Sequence, residues 1–145
     1  MKTLILKTIF ILSCLIFIPS VYAKERGVIA VSNDVDISKI SQNDLQNIFL
    51  GRKTHWDNGK RIKIALSAEN STKLDEFLVN TVGKSKRRFK KYWLKKVFAG
   101  YGIAPKIFTD NEKAIKFTQE QENSITYISI NKNFSIVGIK IINIY

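Results

Sequence analysis

The sequence is short of the groups that most active centres need. In 145 residues it has one cysteine, one histidine, one methionine and two prolines. The cysteine, Cys14, lies inside the first apolar run, so the chain beyond it carries no thiol. Beyond that run the pattern offers no disulfide framework, no Cys/His zinc set and no thiolate nucleophile. His55 has no second histidine or cysteine to work with, and it reads as a loop residue beside Trp56. A carboxylate-only metal site stays open chemically, but no clustered acidic motif occurs. Asp75 and Glu76 are adjacent on an expected helix and point to different faces. Acids are also outnumbered: 12 Asp and Glu stand against 24 Lys and Arg, a formal charge of +12. These shortages leave no catalytic constellation and no cofactor or metal site. The charge favours an anionic ligand or partner.

Long apolar runs are confined to the amino terminus. Lys2 and Lys7 precede an almost wholly apolar stretch from Thr8 to Ile18, which Pro19 breaks, and Val21-Tyr22-Ala23 places small residues at −3 and −1. This is the pattern of a secretory signal peptide, residues 1–23, cleaved after Ala23. A membrane anchor is the other reading, but the run falls short of the about 20 residues a spanning helix needs. A lipoprotein reading would use Cys14. Leu12 is too bulky for it, and the apolar run continues past the cysteine. Lys2 and Lys7 leave with the signal and no acid does, so 22 basic side chains face 12 acidic ones in the remainder, a net charge of +10. Residues 24–145 are expected to form one domain, periplasmic or secreted. A chain of that length buries about two-thirds of its unfolded surface.

Strands and helices alternate along residues 24–145. Gly27 to Ser32 predicts a buried first strand, followed by a polar loop from Asn33 to Lys39. Leu45, Ile48 and Phe49 share one helical face, with Ser41 as N-cap, Asp44 as its capping-box partner and Gly51 as the stop. Trp56 is the one large aromatic of the loop that follows, and Asp57-Asn58-Gly59 is turn chemistry. Ile62, Ile64 and Leu66 then alternate with Lys63 as a strand. A second helix starts at Asn70-Ser71-Thr72, carries Leu74, Phe77, Leu78 and Val82 inward, and stops at Gly83. A third runs from about Ser85 to Ala99, with Phe89, Tyr92, Trp93 and Val97 on one face. Gly100, Gly102 and Pro105 mark a loop. Thr109 and Glu112 form a further capping box, opening a helix to about Gln121 with Ala114, Phe117 and Thr118 inward. Ile125–Ile130 and Val137–Ile144 are the last strands. Such alternation predicts an α/β fold, a mainly parallel sheet flanked by helices.

The unit Ile48-Phe49-x-Gly51-Arg52, Trp56, a glycine-containing turn and a strand resembles the periplasmic phosphate-binding proteins, the PstS-like substrate-binding components of ABC transporters. It is most similar to short members that hold part of the usual two-lobed fold. Tyr92-Trp93 followed by Phe98-x-Gly100-x-Gly102-x-x-Pro105 is similar to their second signature. Ser124-Ile125-Thr126-Tyr127-Ile128 stands where the family has a Gly-Ala-Ile-Gly-Tyr strand. The resemblance implies one lobe of a type II periplasmic binding protein, a phosphate-like oxyanion as ligand, and a transporter or sensor membrane protein as partner.

Two stretches are candidate sites. The turn Ser67 to Lys73 joins a strand to a helix, and a helix N-terminus is an anion site by its free N–H groups and its dipole. In the family, an arginine and then Gly-Ser-Gly-Thr hold the phosphate here. Ser71 matches the serine, Asn70 and Thr72 stand at the glycines, Lys73 at the threonine, and Ser67 at the arginine. An ordinary helix cap by Asn70 or Ser71 is the plainer alternative. The second stretch holds Lys84, Lys86, Arg87, Arg88, Lys90, Lys91, Lys95 and Lys96 without an acid. As an amphipathic helix it suits an anionic lipid surface or nucleic acid. The alternative is a core-packing helix with a solvated basic back. The export signal generates the first testable expectation. Intact-mass measurement of the protein from its native envelope should find a chain beginning at Lys24, and a chain that retains Met1 would refute cleavage.

Overall fold

The structure, a computed structural model, describes residues 24–131 and 136–145, and the expected signal peptide lies outside the described residues. Strand β1, Arg26–Ser32, is the first buried run, with Ile29, Ala30 and Val31 at most 1% exposed. A two-residue strand β2, Lys39–Ile40, leads into α1, Gln42–Phe49. The Ser41 hydroxyl accepts the Asp44 N–H at 3.0 Å, as the sequence predicts, and Gly51 takes the left-handed conformation at φ +60°. Strand β3 is Lys63–Ser67. Helix α2, Ser71–Phe77, continues as a π-helical turn, Leu78–Val82, which Gly83 ends at φ +76°. Then come α3, Lys86–Phe98, β4, Lys106–Phe108, α4, Asn111–Glu120, β5, Ser124–Ile130, and β6, Ile139–Ile144.

The strands form one six-stranded sheet in the order β2-β6-β1-β5-β3-β4. β2 runs parallel to β6, and β5, β3 and β4 run parallel to one another. β1 lies antiparallel between β5 and β6, so among the described strands it alone opposes the common direction. Alternation along the strands divides the core into two layers. Ile29, Val31, Leu66, Ile125 and Tyr127 pack against α1, α2 and α3 on one face of the sheet. Ala30, Ile128 and Ile130 face α4 through Ala114 and Ile115 on the other. Burial of each large side chain in these layers contributes about 1.5–3 kcal/mol.

Two expectations are corrected. Asp110, not Thr109, caps α4, its carboxylate accepting the Lys113 N–H at 2.8 Å. The carboxylate also meets the Lys113 ammonium, which the Thr109 hydroxyl cannot match. Val97 is 44% exposed instead of inward, because Phe89 and Trp93 are the residues that α3 buries.

Trp56 ties the loop after α1 to the turn before β5. It is 8% exposed, and its indole N–H donates to the Asn123 carbonyl at 3.1 Å. That carbonyl also accepts the Lys63 N–H, and the Asn123 N–H donates to the Asp34 carboxylate at 2.9 Å. Burial works to raise the Asp34 pKa, but hydrogen bonds from Ser32 and Asn123 outweigh it and hold the carboxyl below its ordinary range. A carboxyl depressed in the folded state stabilises the fold above its unfolded pKa, and that stability is lost as pH falls through the folded value. The stability gap between the native protein and Asp34→Asn should therefore shrink as a denaturation series is carried to acid pH. Trp56→Ala should cost about 3–5 kcal/mol of unfolding free energy. An unchanged melting temperature would mean that Trp56 does not hold the loop.

Candidate anion site at the ends of β3 and β4

Parallel pairing brings Ser67 beside Phe108, so β3 and β4 end at the same edge of the sheet. The Ala68 N–H donates to the Phe108 carbonyl at 2.8 Å and holds the two exits together. From there α2 starts after Asn70 and α4 after Asp110, so two helix N-termini leave neighbouring strands from one edge. The first N–H groups of a helix have no intrahelical partner, and the dipole makes both starts favourable places for negative charge.

Asn70 caps α2: its side-chain oxygen accepts the Lys73 N–H at 3.0 Å. Its amide nitrogen donates to the Glu25 carboxylate at 2.5 Å. Ser71 and Thr72 are exposed at the helix start. The Lys73 ammonium pairs with Glu76 at 2.6 Å, and the Lys73 carbonyl accepts the Tyr127 hydroxyl at 2.8 Å. Burial, reinforced by the nearby Glu76 and Glu25 carboxylates, pushes that hydroxyl well above its ordinary pKa. Tyr127 therefore stays a neutral donor. Ser67, at the position of the family's arginine, is 1% exposed, and its hydroxyl accepts the Glu69 N–H at 3.3 Å. It is turned into the protein. A shallow pocket of about 340 Å³ beside α2 is lined by Lys24, Arg26, Lys73, Glu25, Glu76 and Tyr127 among others.

Sequence reasoning missed two acids. Glu69 reaches across and accepts the Asn111 N–H at 2.6 Å, which places a carboxylate of the protein at the start of α4. Glu25 instead holds the side-chain amide of the α2 cap, Asn70. Glu69 left a local signal, since an acid in the turn next to a helix start is the wrong charge for an anion seat. Glu25 left none, because 45 residues separate it from Asn70.

The basic stretch Lys84–Lys96, most of it in α3, divides its cations between two tasks. The Lys96 ammonium donates to the Leu50 carbonyl at 3.0 Å and the Gly51 carbonyl at 2.6 Å, and Lys84 stands over the Tyr92 ring. Arg87, Arg88, Lys90, Lys91 and Lys95 are exposed, while Lys86 is half-buried. His55 is exposed, and its Nδ1 lies 2.8 Å from the Thr54 hydroxyl. Among the described residues, no group of three or more His, Cys, Asp or Glu side chains is placed to hold a metal ion, and no helix is long and apolar enough to cross a membrane.

No family model and no curated protein matches the sequence. Solved structures do match. PstS from Borrelia burgdorferi superposes with a TM-score of 0.62 at 16% identity, over 83% of this chain and 47% of that one. An ABC-type phosphate transport receptor from Vibrio cholerae gives 0.57 at 14% identity, over 83% and 46%. A phosphate ABC transporter substrate-binding protein from Clostridium perfringens, solved with bound phosphate, gives 0.61 at 13%, over 83% and 45%. The fold resembles one lobe of a phosphate-type substrate-binding protein. The chain spans about half the length of the structures it matches, and at these identities the likeness concerns architecture alone.

Proposed function

We propose that the protein is an exported, non-catalytic substrate-binding module in which Asn70, Ser71, Thr72 and Lys73 contact a small oxyanion such as phosphate. Residues 24–145 would act as one domain, working with a transporter or sensor protein of the membrane. The observation that supports this reading is the pair of helix N-termini leaving β3 and β4 at one sheet edge. Ligands of open α/β sheets sit outside the carboxyl ends of parallel strands. The fold likeness to a protein solved with phosphate points to the same chemistry.

Four features set the strength of that contact low. One lobe leaves the ligand partly hydrated. Ser67 supplies no charge where the family has an arginine, and a charged hydrogen bond is worth about 1.5–3 kcal/mol. Asn70 and Thr72 carry side chains where glycines would let the backbone approach. Glu25 and Glu69 add negative charge at the helix starts. The Lys73 ammonium and the overall charge act in the other direction, through fields that salt screens.

Calorimetric titration with inorganic phosphate should give a dissociation constant no tighter than about micromolar, near −8 kcal/mol. Ser71→Ala should weaken binding, and Glu25→Gln with Glu69→Gln should strengthen it. Nanomolar affinity at physiological salt would show that a second chain completes the cleft or that the ligand sits elsewhere. No response to any of these substitutions would remove the anion from Asn70–Lys73.

A further inference from the structure

Beside α3, a groove of about 620 Å³ opens between the helix and the segment that enters β4. Leu94 and Val97 line it from the helix, and Pro105 and Ile107 from the opposite side, with Lys90 and Lys91 beside them. Leu94 is 59% exposed and Val97 44%. Further apolar side chains are exposed next in the chain, Phe98 at 83%, Tyr101 at 74% and Ile103 at 73%. Apolar exposure of this extent marks an interaction surface. β4 is also the last strand in the sheet order, so the groove adjoins an edge.

We propose that this groove docks an acidic, amphipathic polypeptide segment of a partner protein. Charge selects the sign. α3 carries seven basic residues from Lys86 to Lys96 and no acid, and its exposed cations flank the apolar lining. A second copy of this chain would bring the same positive face and be repelled. Shape selects the class. A groove bounded on two sides suits the apolar face of a helix, whereas a bilayer surface meets only the protruding residues. A small apolar ligand would fill the groove and leave Phe98, Tyr101 and Ile103 in water. A segment with apolar residues at helical spacing and acids beside them covers the apolar strip and pairs with Lys90 and Lys91. None of these residues belongs to the oxyanion site, so the two assignments stand or fall separately.

The test uses the purified protein and a synthetic probe, a peptide with leucine at i, i+3, i+4 and i+7 and glutamate between. Its scrambled isomer of equal composition is the control. Fluorescence anisotropy should show the amphipathic peptide binding at least about ten-fold more tightly than the scramble. Leu94→Asp and Val97→Asp lie at exposed positions and should keep the native circular dichroism while erasing that preference. Lys90→Glu with Lys91→Glu should weaken binding and flatten its salt dependence. Equal affinity for both peptides, or a preference that survives Leu94→Asp, would overturn the proposal. So would tighter binding to phosphatidylglycerol vesicles than to the peptide, or a dimer in sedimentation that Leu94→Asp dissolves.

Discussion

The carbonyl end of α1 is where the helical layer is locked together. Trp93 donates its indole N–H to the Phe49 carbonyl at 3.1 Å, Tyr92 its hydroxyl to the Leu50 carbonyl at 2.7 Å, and Lys96 its ammonium to the Leu50 and Gly51 carbonyls. The last carbonyls of a helix have no intrahelical donor and carry the negative end of its dipole, so a lysine there is doubly favourable. Lys96 also sits 5.3 Å from the Trp93 ring centroid. Gly51 is what allows the approach: a Cβ at that position would lie 2.5 Å from the edge of the Trp93 ring. The Gly51 motif and the Tyr92-Trp93 motif, far apart in the chain, are thus two halves of one contact. With Phe89 and Trp93 committed to the core, the next stripe of α3 turns away from it, and Leu94 and Val97 become surface.

At the edge of the sheet where β3 and β4 end, the chain places carboxylates beside two helix starts. Glu69 satisfies the start of α4, and Glu25 meets the cap of α2. Carboxylates near the helix starts complement the positive ends of the dipoles. They would oppose the oxyanion proposed for Asn70–Lys73, and Ser67, buried and bonded to the Glu69 N–H, holds the Glu69 turn in place.

What could be read before the structure followed from chemistry local in sequence. Ser41, Asn70 and Ser85 cap their helices because a short polar side chain precedes an apolar-periodic run, and Gly51 and Gly83 stop theirs by adopting positive φ. Thr109-x-x-Glu112 fits a capping box, but Asp110 one residue on caps α4, and only packing decides between registers one residue apart. β2 and β4 span two and three residues, too few for a period-two pattern, and exist through pairing with β6 and β3. Val97 continues the stripe of Phe89 and Trp93 on paper, but it lines a surface groove instead of the core. For the candidate site, the turn, its cap and the neighbouring Glu69 are legible, whereas Glu25 is not, since nothing in the residues around Asn70 signals it.

The reversed strand has a consequence for how the chain comes into being. β1 finds its partners in β5 and β6, with Arg26 opposite Ile130 and Ile29 opposite Ile142. The middle of the sheet therefore cannot close until β5 and β6, more than 90 residues further along, are available to pair with β1. Loop closure across nearly the whole chain makes that step slow. Until β5 is in place, the apolar run from Val28 to Val31 has no strand partner, and the unfinished sheet is exposed to aggregation or to a holding chaperone.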